Sequence, residues 1–90
     1  MVVLVLERVP VSLRGELTRW LIELRAGVFV GDVSALVRDK LWELVEGKAR
    51  DGAAVLVYSM DTEQSFAMRV HGDPTRDIVE FDGLYLARRR

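Results

Sequence analysis

Apolar and polar positions divide the 90-residue chain into pieces of two periods. Val2–Leu6 is an unbroken apolar run, the pattern of a central strand covered on both faces. Val9-Pro10-Val11 interrupts it, and Ser12 suits a helix N-cap. Leu13, Leu17, Trp20, Leu21 and Leu24 then recur at the spacing of one face of an amphipathic helix. Gly27 stands where that helix would end in a left-handed residue. Val28–Val30 reads as a short strand tucked into a sheet. Asp32 or Ser34 restarts a helix whose expected buried face is Val33, Val37, Leu41 and Leu44, with Gly47 weakening its last turn and Gly52 closing the connection. Ala53–Met60 is a second buried strand, and Asp61-Thr62-Glu63-Gln64 a hairpin turn. Phe66, Met68 and Val70 alternate with Ala67, Arg69 and His71, as in a half-buried strand. After the Gly72-Asp73-Pro74 turn, Ile78–Phe81 is extended, Asp82-Gly83 is a tight-turn signal, and Leu84–Leu86 is a last short strand.

The predicted order is β-α-β-α-β-β with a C-terminal extension. It implies an α+β sandwich of ferredoxin-like type: two helices on one face of a mostly antiparallel sheet. Residues 1–77 would form this domain and residues 78–90 the extension. The second sheet face would be apolar and bare, which water does not tolerate over a large patch. A second copy packed sheet to sheet covers it, so a two-fold homodimer is expected. At 100° per residue Trp42 falls opposite the expected buried face of its helix, near Arg38 and Val45, and Ile22 does the same on the first helix. An exposed tryptophan beside an arginine suits contact with another chain or base stacking.

Composition narrows the function classes. Half of the residues are hydrophobic and 30% are charged, an ordinary globular balance, and there is no cysteine. That excludes a disulfide framework and a thiolate metal site. No apolar run approaches the roughly 20 residues of a membrane span. MVVLVLE has no basic start or cleavage site, so a cytoplasmic protein without membrane contact is expected. The net charge of −1 makes no global case for nucleic acid. The basic residues are, however, 11 arginines against Lys40 and Lys48, and arginine offers bidentate phosphate contacts that lysine does not. A nucleic-acid site would have to be a local arginine stripe.

Several stretches carry a more specific signal. They are Leu6-Glu7 followed by Val9-Pro10; Leu13-Arg14-Gly15 with Leu17 and Trp20-Leu21; the continuous block Arg25-Ala26-Gly27-Val28-Phe29-Val30-Gly31-Asp32-Val33-Ser34; and Trp42-Glu43, Thr62-Glu63, Gly72 and Asp82-Gly83-Leu84. Together they resemble the CRISPR-associated protein two family, the small adaptation protein, in its type I-E form. The resemblance spans nearly the whole chain, and the ten-residue block is its specific part.

The resemblance implies a ferredoxin-like homodimer that acts in spacer acquisition. It would bridge two dimers of the CRISPR integrase and bind the double-stranded DNA of the incoming protospacer through its backbone. Other members of the family are described as metal-dependent endonucleases acting on RNA or DNA. In those members the position of Glu7 carries an aspartate, and two copies meet near the dimer axis around a divalent ion. Carboxylates with open water positions suit Mg2+, which could activate water or polarise a phosphate. Here the residue is a glutamate with no second carboxylate at close spacing, so catalysis is not expected to be required. Arg14 matches a DNA-backbone arginine of the family. A second such arginine falls at Ser12, and the family's arginine pair after the Gly72 turn reads Thr75-Arg76 here. Arg8, Arg19, Arg38, Arg69 and Arg88–Arg90 are candidates to compensate.

Apolar Ile78, Val79, Phe81, Leu84, Tyr85 and Leu86 are the expected partner surface, by edge pairing with the integrase or by crossing to the second protomer. His71, the single histidine, reads as a strand residue. The serines lack a nucleophile-elbow setting, and no glycine-rich phosphate loop is present. Two rival functions stand beside the scaffold: a Mg2+-dependent endonuclease using paired Glu7 carboxylates, and a ferredoxin-like interaction domain that binds no nucleic acid.

Overall fold

The computed structural model describes residues 1–60, 63, 65–72, 76–81 and 84–89. Its elements are β1 (Val2–Glu7), α1 (Val11–Leu17), β2 (Ile22–Arg25), β3 (Val28–Gly31), α2 (Ala35–Lys48), β4 (Ala53–Ser59), β5 (Phe66–His71), β6 (Arg76–Phe81) and β7 (Leu84–Arg89). Five strands form one sheet in the order β2-β3-β1-β4-β5, with every pairing antiparallel. The fold is α+β, and no helix among the described residues is long and apolar enough to cross a membrane.

Strand alternation sorts the sheet into two faces. Val2, Leu4 and Leu6 of β1, Phe29 of β3 and Ala54 and Leu56 of β4 point to one side, where they are buried. Leu13 and Leu17 of α1 and Leu41, Trp42 and Val45 of α2 join the same cluster, so both helices cover that face. Across the other face run two rows set by the strand register. One is Ile22, Val30, Val3, Val57 and Met68; the other is Val28, Val5, Val55 and Val70. These residues are half-buried or exposed, so β1 is covered fully on one side only.

The first helix is shorter than its apolar spacing predicts. It ends at Leu17, where the Thr18 hydroxyl donates to the Gly15 carbonyl at 2.6 Å. A turn follows, held by Trp20 and Leu21 N–H groups that donate to Leu17. Ile22–Arg25 is then the edge strand of the sheet, not helix. The reason is tertiary. Trp20, Ile22 and Leu24 satisfy a period of two as well as a helical one, and pairing Ile22 with Val30 completes the β2-β3 hairpin. Ile22 is exposed as expected, at 67%, but on a strand. Gly27 is left-handed, with φ 81°, as the hairpin turn rather than a helix cap. A Cβ there would lie 2.6 Å from the Leu6 carbonyl oxygen, which lets Leu6 N–H reach the Gly27 carbonyl at 2.7 Å. The residue preceding α1 is Pro10, with no side-chain cap, so Ser12 is inside the helix.

On α2, Ser34 is the N-cap and its hydroxyl accepts from Val37 N–H at 3.2 Å. The buried stripe is rotated from the predicted one. Trp42 is 7% exposed and Val45 fully buried, so Trp42 is a core residue and not an exposed contact. The predicted positions Val33, Val37 and Leu44 are only partly buried, at the margin of the core. A helix laid on a broad sheet buries a wide stripe, and here its centre is the Leu41–Val45–Ala49 line.

Strands β6 and β7 form a separate two-stranded antiparallel sheet with Phe81 opposite Leu84 and Arg76 opposite Arg89. The extended segments at Ile78–Phe81 and Leu84–Leu86 are therefore strands, each longer than predicted. The expected turn residues Asp61, Thr62, Gln64, Asp73, Pro74, Asp82 and Gly83 lie outside the described residues.

Candidate nucleic-acid interface

The connection from β1 to α1 carries the predicted metal ligand Glu7 and leads to the predicted DNA contacts Ser12 and Arg14. Glu7 ends β1 opposite Ala53. Its carboxylate accepts from Arg8 Nη1 at 3.3 Å. Arg8 has a left-handed φ of 57°, which turns the chain out of the sheet toward Pro10. Among the described residues no group of three or more His, Asp or Glu side chains is placed to hold a metal. Mg2+ asks for oxygen ligands in near-octahedral geometry, and among the described residues of one chain Glu7 has an arginine beside it and no second carboxylate. A second copy of Glu7 would have to complete such a site.

Arg14 is half-buried on α1 and held from below. Its Nε–H donates to Glu23 Oε2 at 2.9 Å, and the same oxygen accepts from Gly27 N–H at 3.0 Å. The Gly27 amide first, and then Arg14, hold the Glu23 carboxyl below its ordinary value. The β2-β3 turn thus supplies an anchor that fixes the guanidinium through one nitrogen and leaves the two terminal nitrogens out of the pair. Arg14 and Arg8 line a hollow of about 300 Å³ with Leu6, Val9, Ala26 and Gly27. Glu23 had no signal in the sequence, because the pairing depends on β2 being a strand.

Ser12 lies elsewhere. It is two residues from Arg14, about 200° around the helix, and lines a different hollow of about 450 Å³ with Pro10, Gly47, Lys48 and Arg50. Arg76 begins β6, on the separate hairpin. Ile78, Val79, Phe81, Leu84, Tyr85 and Leu86 are all on that hairpin's strands.

Two of the candidate compensating arginines meet on the helix-covered side of the sheet. The Arg38 guanidinium lies 4.1 Å and that of Arg69 5.2 Å from the Tyr58 ring centre. Both pair with Asp39, at 3.1 and 2.9 Å. Arg38 chiefly, with Arg69, holds the Asp39 carboxyl below its ordinary range, and Tyr58 and Asp39 raise Arg69 further despite its partial burial. This cluster ties α2 to β4 and β5. Its arginines are engaged internally, which makes it a brace between helix and sheet.

With this geometry in place, the comparison with protein families is specific. Residues 1–86 match the family of CRISPR-associated proteins designated Cas_Cas2CT1978. The match runs through the β1-α1 connection, the β2-β3 hairpin that anchors Arg14, both helices and the first half of β7. The chain belongs to that family and is a CRISPR-associated, Cas2-family protein.

Proposed function

We propose that the protein is a dimeric, ferredoxin-like scaffold of CRISPR spacer acquisition that bridges two integrase dimers and binds the protospacer duplex through its phosphate backbone, without catalysis of its own. The observation that carries this reading is the helix-free sheet face, apolar in one row across five strands and a second across four. Such a face in a 90-residue chain asks for a cover. A second copy supplies one of matching chemistry, and two-fold packing then presents two copies of Arg14 to one duplex. The β-α-β-β-α-β order through β4, with strands in the order β2-β3-β1-β4, supports the ferredoxin-like assignment. Phosphate contacts from Arg14 and Arg76 would position the duplex without reading its sequence. The apolar residues of β6 and β7 are the surface offered to the integrase or to the second protomer.

Glu7 paired with Arg8 favours a structural carboxylate over a metal ligand. The Mg2+-dependent nuclease would need both protomers' Glu7 side chains drawn away from those arginines.

The test is integration of a fluorescent splayed duplex into a CRISPR array by purified integrase. Glu7→Gln is expected to support integration at the wild-type level, and Arg14→Ala/Arg76→Ala to abolish it. Loss of integration in Glu7→Gln, with dimerisation and DNA binding intact, would overturn the non-catalytic reading in favour of the nuclease. An absence of gel retardation for the wild type at low salt would leave only an interaction domain.

A further inference from the structure

The hollow on the far side of α1 has a lining unlike that of a small-molecule pocket. It is wide, with Pro10 as the one apolar side chain among the described residues that line it, and it carries a hydroxyl, an ammonium and a guanidinium from three different segments: Ser12 on α1, Lys48 at the end of α2 and Arg50 in the turn beyond. Small ligands are bound in sites that bury most of their surface against apolar walls. An open polar hollow with two cations suits one phosphate of a polymer that continues past it on both sides.

Two local features fix the cations. Lys48 Nζ donates to both carboxylate oxygens of Glu16, at 3.1 and 3.0 Å, which holds the ammonium between the two helices while more than half of the side chain stays exposed. Arg50 occupies a tight turn closed by Gly52 N–H to the Ala49 carbonyl at 2.8 Å, with a left-handed φ of 56°. Arg50 is exposed and has no ion-pair partner among the described residues.

We propose that Lys48 and Arg50, with the Ser12 hydroxyl, form a second backbone-phosphate site for duplex DNA. It would flank α1 on the side opposite the Arg8/Arg14 hollow, so that the helix lies across the backbone between two contacted phosphates. The proposal rests on the duplex-binding reading of the protein and adds the residues on which part of that binding depends. It also gives Ser12 a role: the charge that its own side chain lacks arrives from the end of α2.

The experiment is fluorescence anisotropy of a labelled duplex of arbitrary sequence, titrated with the full chain over a range of salt concentrations. The variants are Lys48→Gln/Arg50→Asn and Ser12→Arg, with Arg14→Ala alongside. Asparagine tolerates the left-handed φ that Arg50 holds, so the double variant removes charge and keeps the turn. A circular dichroism melt checks that each variant is folded. The double variant is expected to bind about tenfold more weakly, and the slope of log affinity against log salt to flatten by about one for each cation removed. Ser12→Arg is expected to tighten binding and steepen the slope. Wild-type affinity and slope in the double variant, while Arg14→Ala still weakens binding, would overturn this site alone. No salt-dependent binding by the wild type would instead overturn the duplex-binding reading beneath it. If the double variant fails to melt cooperatively, Ser12→Arg decides: unchanged affinity and slope would overturn the site.

Discussion

The two faces of the sheet are both apolar and meet different fates. On one face Leu4, Phe29 and Leu56 are sealed under Leu13, Leu17 and Val45. On the other, Val3, Val5, Val55 and Val57 form rows just as apolar with no helix above them. Hydrophobicity alone therefore does not tell which face of the sheet the chain's own helices cover. What separates the faces is side-chain size. Leucine and phenylalanine reach up between helices, whereas a mat of valines makes a flat surface that a second flat surface can match.

The strongest way to break this comparison is to remove bulk from the sealed side. Phe29→Ala is expected to lower the stability of the fold by about 3–5 kcal/mol, since a fully buried ring leaves a cavity that neighbouring strands cannot close; a denaturant midpoint with an unchanged slope measures it. A charge on the flat side should act on assembly instead. Val57→Asp is expected to leave the circular dichroism spectrum native while weakening self-association by about a hundredfold or more, read by sedimentation equilibrium. Equal destabilisation of an isolated protomer would show that the flat face is covered from within the chain.

The β2-β3 hairpin at the sheet edge is the next lever. Gly27→Ala forces a side chain into a left-handed residue and against the Leu6 carbonyl, so a loss of about 1–3 kcal/mol is expected, with Arg14 losing its anchor at the same time. The smallest effect is on pH dependence. Glu23 and Asp39 both have lowered carboxyl pKa values in the fold. Their contribution to stability is therefore complete above the unfolded-state values near about 4 and is lost as pH falls through the lower folded values. Thermal melts should show an acid limb that flattens in Glu23→Gln and again in Asp39→Asn.

The scope of sequence reading shows in particular residues. The order of apolar runs is enough to find β1, β3, β4, β5, α2 and the two C-terminal strands, because burial against a sheet imposes a period of two or a solid apolar run. It misleads at Ile22–Arg25, where two periods fit the same letters and only a strand partner chooses between them. It misleads at Trp42 for a related reason: the angular width of a buried stripe depends on the surface beneath the helix. The site divides in the same way. Arg14 and Glu7 are visible as residues in a recognisable pattern. Glu23, which holds Arg14, and Lys48 and Arg50, which share a hollow with Ser12, are not.

By itself, then, the sequence determined the family, the α+β class and an apolar excess larger than one core needs, since these follow from local pattern and composition. Tertiary structure decided which strand lies at the sheet edge, which side of α2 is buried and which arginines stand toward solvent rather than braced on Tyr58 and Asp39. Those outcomes depend on contacts between segments that are distant along the chain, and no local pattern encodes such a contact.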